Sequence, residues 1–232
     1  MSQEVVLVLF QVVVLVLAFS MHECAHAWMA WRLGDPTAKM LGRVTLNPAK
    51  HIDPLGSVIM PLLAMVYHLP LIGWAKPTPV TARNFKNYKR DDILVTIAGP
   101  ISNLLAATAA LILLIVIKHT IAGGNLAVQT AIALAFRIQG VPTTDLPALF
   151  PIALFLYFVI LINLSLFAFN LIPIPPLDGS HVLRHFLPYK LAQLYDRMGM
   201  FSLIILMLVG GRLIGIFLYP LLNTFNGILF AM

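Results

Sequence analysis

Charge is scarce in this chain. Asp, Glu, Lys and Arg make up 10% of its 232 residues, against 60% hydrophobic ones. Mean hydropathy is +0.92. These values exclude a soluble domain with one large core and imply an integral membrane protein. Cysteine is also nearly absent: Cys24 stands alone, which excludes an internal disulfide. The long apolar runs lack the alternation of a membrane β-barrel, so helices are the expected spanning elements. Internal repeats and low-complexity tracts are missing. The first apolar run lacks a basic start and carries a polar motif, so a cleavable leader is not expected there.

The net charge is +6. Nine of the fifteen Lys and Arg residues lie between Arg32 and Arg90, and three more are Arg184, Lys190 and Arg197. Two such blocks fit the positive-inside rule and need no nucleic acid to explain them.

Apolar runs predict spans over 4–33, 92–118, 148–172 and 198–220. The first is about 45 Å long at 1.5 Å per residue, longer than the hydrocarbon core. Gly34, Asp35 and Pro36 end it. Its Arg32 end is expected at the cytoplasmic face and its Glu4 end outside. Residues 55–73 are apolar but broken by Gly56, Pro61 and Pro70. A full span there would carry the following basic residues outside, so a re-entrant hairpin is expected. Arg43 to Asn47 alternates and predicts a short membrane-associated strand. Residues 73–80, Gly-Trp-Ala-Lys-Pro-Thr-Pro-Val, read as an extended loop held by prolines. Residues 123–147 read as an outer loop with a short amphipathic helix. The expected fold is therefore an all-α polytopic membrane protein, a single domain over 1–232. It has four transmembrane helices, a re-entrant hairpin and a short strand region.

Inside the first span lies His22-Glu23-Cys24-Ala25-His26, an H-E-x-x-H motif. Residues four apart on a helix share one face, so His22 and His26 can grip one metal ion. Glu23 lies one helical step round and can act as general base on water at that metal. Ionisable groups within a membrane helix are costly and point to function. A catalytic zinc takes three protein ligands and keeps one open position. Most other acids fall in loops or at span edges, which leaves Asp178, with His181 and His185 as alternatives. Asp178 follows Asn170-Leu-Ile-Pro-Ile-Pro-Pro-Leu, whose prolines cannot continue a helix. Broken backbone at membrane depth is tolerated only where protein or a wet cavity surrounds it. Cys24 reads as a packing residue, since a fourth ligand would close the site. Arg212 reads as snorkelling to the outer interface.

Three stretches together resemble the site-2 protease family of intramembrane zinc metalloproteases. They are the His22–His26 helix, the Gly99-Pro-Ile-Ser-Asn103 segment, and Asn170 to Gly179, which resembles that family's N-x-x-P-x-x-x-x-D-G pattern. Gly-Arg-Val-Thr-Leu-Asn-Pro and Trp-Ala-Lys-Pro-Thr-Pro-Val look like the short bacterial or archaeal members. The resemblance implies one Zn2+ per chain held by His22, His26 and Asp178, with Glu23 as the catalytic base. It also implies a three-helix catalytic core and location in the cell membrane. The partner it implies is a transmembrane protein substrate, cut within the lipid bilayer. The loops are too short to hold the PDZ domain of longer members. Asn103 and Asn170 are candidates for binding unwound substrate backbone or the developing oxyanion, or for interhelical hydrogen bonding. A membrane metal transporter or channel is the competing reading, since histidines and carboxylates in spans also line ion paths.

Overall fold

The computed structural model describes residues 3–60, 63, 74–138, 140, 146–197 and 199–231. Among these residues the ordered elements are helices. α1 (Gln3–Arg32) begins with Glu4 in its first turn and ends with Arg32 in its last, both favourable to the helix dipole. Its end is closed by Gly34 at φ 109°, with Gly34 N–H donating to the Trp31 carbonyl and Asp35 N–H to the Ala30 carbonyl. That pair of bonds is a Schellman closure and needs a residue without Cβ at the left-handed position.

α2 (Thr37–Met40) is one short turn. α3 (Tyr88–Thr120) is capped by the Asn87 side chain, which accepts from the Arg90 N–H. Pro100 lies inside α3 and removes one rung of its ladder. α4 (Gly124–Ala135) is apolar but shorter than a span. α5 (Phe150–Asn170) is apolar all round. α6 (Asp178–Arg184) and α7 (Tyr189–Arg197) lead into α8 (Gly199–Ala231).

Within α1, α3, α5 and α8, the stretches Glu4–Arg32, Tyr88–Thr120, Phe150–Asn170 and Gly211–Ala231 are long and apolar enough to cross a membrane. The chain is a multi-pass membrane protein, as expected. The last helix runs on past residue 220 to Ala231, with Pro220 inside it.

The core lies where α5 meets α3, α4 and α8. Tyr157, Phe158 and Leu164 of α5 pack with Leu111 and Leu114 of α3 and Leu222 and Phe225 of α8. Ala107, Ala110, Ala127, Ala131 and Ala153 are all buried at these contacts. Small residues let membrane helices approach closely, where apolar burial gives no advantage over lipid. Outward, Val5, Leu9, Val13 and Leu17 stand exposed along one face of α1 at four-residue spacing. Such a stripe suits contact with lipid tails.

Two expectations need revision or fall elsewhere. Arg43–Asn47 is not a strand. Gly42, at φ 67°, turns the chain just before it, and Asn47 caps a 3-10 turn over Pro48–Lys50 just after. The Arg43 side chain is buried and donates to the Lys50 and Pro77 carbonyls, while His51 Nε2 holds the Thr45 carbonyl at 2.8 Å. The turns on either side and these side-chain bonds, rather than a neighbouring strand, hold this stretch. The expected hairpin over 55–73 falls largely on 61–62 and 64–73, outside the described residues. Pro54–Ile59, at its start, forms a π-helical turn capped by Asp53.

Candidate metal centre

Three donor atoms converge between α1, α3 and the start of α6. His22 and His26 offer their Nε2 atoms and Asp178 a carboxylate oxygen, all within 4.8 Å of one another. The two Nε2 atoms are 3.0 Å apart. Asp178 Oδ2 is 3.2 Å from His22 Nε2 and 3.5 Å from His26 Nε2. Both histidines are buried, at 6% and 8% exposure.

Backbone geometry delivers each of them. The helical repeat stacks His22 under His26. Pro173, Pro175 and Pro176 stop the chain from continuing α5, and α6 folds back beneath its end. Gly179 permits this return: a Cβ there would stand 2.5 Å from the Leu171 carbonyl oxygen. Tyr195 and Ser202 donate to the Pro173 and Pro175 carbonyls, at 2.7 and 2.6 Å, so the broken segment is not left unsatisfied.

The hydrogen-bond network around the histidines decides where their protons sit. The Val159 carbonyl can only accept, so Asn163 Nδ2 donates to it at 2.9 Å. Asn163 Oδ1 then accepts from Asn103 Nδ2 at 2.8 Å. Asn103 Oδ1 is left facing His22 Nδ1 at 2.6 Å, so that nitrogen carries the proton. His26 Nδ1 likewise faces a backbone acceptor, the Val95 carbonyl, at 2.7 Å. In the neutral imidazoles both Nε2 atoms therefore present bare lone pairs.

These lone pairs meet a carboxylate oxygen that is itself buried without a hydrogen-bond partner. Three acceptors with no hydrogen between them are mutually repulsive unless a cation joins them. The space for one exists. A Cβ at Gly99 would lie 2.6 Å from His22 Nε2 and against His26 Nε2. Glycine keeps that volume clear. Two imidazole nitrogens and one carboxylate oxygen are a donor set that suits zinc and leaves a fourth position open.

Glu23 stands beside this cluster, half-buried, with Oε2 accepting from the Thr78 N–H at 2.8 Å. The two alternatives for the third donor lie apart. His181 is exposed, and His185 Nε2 pairs with Asp92 Oδ2 at 2.6 Å. Cys24 is not among the converging groups. Asn103 is fully buried, with its amide engaged by His22 and Asn163. Asn170 donates to the Leu166 carbonyl of its own helix at 3.0 Å. Sequence reasoning missed Asn163, Val95 and Thr78. Asn163 had a legible signal, an amide in the middle of an apolar span. Val95 acts through its backbone, which side-chain patterns do not report.

A bundle with four membrane-length helices, enclosing a His-His-Asp cluster beside a glutamate, defines a polytopic membrane protein with a buried candidate metal centre. The chain belongs to peptidase family M50, whose family model matches residues 10–209. It is 35% identical over 216 residues to the Bacillus subtilis protein named "Putative zinc metalloprotease YwhC", covering 93% of this chain and 86% of that one. Two mycobacterial proteins with the same designation and the name Rip2 are also similar. The one from Mycobacterium tuberculosis H37Rv is 27% identical over 88% of this chain and 64% of its own length. The one from Mycolicibacterium smegmatis is 33% identical over 41% of this chain and 36% of its own length. No solved structure matches the chain.

Proposed function

We propose that this chain is an intramembrane zinc metalloendopeptidase of the cell membrane, folded as one domain, that cuts transmembrane segments of other proteins. The observation that carries the reading is the convergence of three lone-pair donors, with Glu23 of the same H-E-x-x-H helix alongside. His22, His26 and Asp178 would hold the ion, one per chain. Zinc in such a site polarises a peptide carbonyl and lowers the pKa of water toward neutrality.

The chain's own residues supply the rest. Glu23 takes the proton from the attacking water and returns it to the leaving amine as the C–N bond breaks. Asn103 keeps His22 in the tautomer that offers Nε2, with Asn163 holding Asn103 in turn, and the Val95 carbonyl does the same for His26. This assigns Asn103 to orientation of a ligand. Asn170, whose side-chain nitrogen donates to its own helix, is the candidate for binding unwound substrate backbone through its amide oxygen. A substrate helix hides its carbonyls in hydrogen bonds and must unwind locally before any of this can act.

Glu23→Gln tests the reading. The amide cannot take a proton from water, so the variant should keep its zinc and its fold and lose cleavage. Membrane proteomes of cells carrying wild type and Glu23→Gln are compared for a transmembrane segment cut only by the former. Identical fragment patterns in the two would reject proteolysis.

A further inference from the structure

The loop from Trp74 to Val80 passes over the catalytic end of α1, and its anchoring has a simple period. Trp74 N–H donates to the Gly56 carbonyl at 3.2 Å and Lys76 N–H to the His51 carbonyl at 2.8 Å. Thr78 N–H donates to Glu23 Oε2 at 2.8 Å. Every second residue thus uses its N–H to fasten the extended strap to the protein. Pro77 and Pro79 flank the last of these anchors; they have no N–H to offer and hold φ near the extended range. In the tripeptide Pro77-Thr78-Pro79 the single amide donor is Thr78, and it goes to Glu23.

The Thr78 side chain goes to the same residue. Its Oγ1 donates to the Glu23 backbone carbonyl at 3.0 Å, across 55 positions of sequence. One threonine therefore grips Glu23 at both ends, main chain and carboxylate. Oε1 has no protein hydrogen-bond partner among the described residues, so the grip leaves one oxygen for the reaction. The strap is itself braced: Ser57 Oγ donates to the Trp74 carbonyl at 2.7 Å, and Thr81 N–H to Asp35 Oδ2 at 2.7 Å.

We propose that Thr78 is a positioning residue for the general base, fixing the Glu23 carboxylate through a proline-stiffened strap so that Oε1 faces the reacting water. The proposal rests on Glu23 being that base. An aimed base raises the rate of the chemical step and leaves substrate affinity unchanged. Glutamate has three rotatable bonds, and an unrestrained carboxylate would spread over many orientations.

Two measurements test it, and the first needs no substrate. Hydrogen exchange in detergent micelles isolates the Thr78 amide, because its neighbours Pro77 and Pro79 carry none. Exchange should be slow in wild type and in Glu23→Gln, which keeps an acceptor oxygen, and at least about tenfold faster in Glu23→Ala. Fast exchange in wild type, or no change in Glu23→Ala, overturns the proposal. The second measurement uses a membrane-protein fragment that wild type is found to cut. Thr78→Val, which loses the hydroxyl, should lower kcat about fivefold, with KM and zinc content unchanged, and Thr78→Ser should restore it. Unchanged kcat in Thr78→Val overturns the part given to the hydroxyl, and a loss of zinc along with rate overturns the positioning role. Should wild type cut nothing, the protease reading fails, while the exchange measurement still reads the contact.

Discussion

Asp35 and Asp178 are both carboxylates withdrawn from water, and their neighbours are opposite in kind. Asp35 is fully buried and surrounded by donors: the Thr37 N–H and hydroxyl at 3.1 and 2.5 Å, the Thr81 N–H at 2.7 Å and the Asn84 amide at 2.7 Å. Burial alone would raise its pKa, but these donors outweigh it and hold the carboxyl below its ordinary value. Asp178 has a buried oxygen with no hydrogen-bond partner, and beside it two imidazole nitrogens that are bare when the rings are neutral. The first carboxylate is complete as a piece of structure, a knot joining α1, α2 and the strap. The second has no such donors, and a cation held with His22 and His26 would complete it. Burial of an acid therefore says little about function; the hydrogens around it say much more.

The comparison can be broken most severely at Gly99. Gly99→Ala places a methyl group in the volume between the histidines, so it should abolish zinc binding while Asp35 and its knot stay intact. Metal analysis of the purified variant reads the first, and a melting curve in micelles reads the second. Next comes Asn103→Ala, which frees His22 to change tautomer. Loss of such an outer partner weakens metal binding by about 10- to 100-fold, measured by competition with a chelator. The same removal leaves Asn163 buried without its partner, which costs about 1–3 kcal/mol of stability.

Asp35→Asn sharpens the comparison from the other side. It should cost about 1.5–3 kcal/mol, the range for hydrogen bonds to a charged group, with zinc content unchanged. Its pH dependence has a definite sign. The folded pKa lies below the unfolded value of 3.8, so the stabilisation is full above that value. It is lost as pH falls through the folded pKa. Wild type should lose stability to acid more steeply than Asp35→Asn, measured as melting temperature against pH on either side of about pH 4.

Much of this is legible in the sequence. The four spans follow from apolar length, and the His22–His26 pair follows from helical spacing. Asp178 emerges because prolines at 173, 175 and 176 forbid a helix where a sheltered acid remains. What stayed hidden depends on contacts between segments far apart in the chain. Glu23 and Thr78 lie in separate elements, and Thr78 acts first through a backbone N–H that every non-proline residue owns. The Arg43–Asn47 alternation misled for a related reason. Five alternating residues suit a strand only when another backbone lies alongside; here the His51 ring takes the Thr45 carbonyl, and the Arg43 side chain reaches out to the Lys50 and Pro77 carbonyls. Gly99 sits in a motif whose pattern is visible, but its purpose, an empty volume between two imidazoles, appears only when α1 and α3 are packed together.

The most direct test is the metal content of purified protein, wild type beside Asp178→Ala. The account predicts about one zinc per wild-type chain and none retained in Asp178→Ala, because two histidines alone make too few donors for a tight site. Full zinc in Asp178→Ala, or a wild type that takes up no divalent metal, would contradict the claim that these three lone pairs converge on an ion.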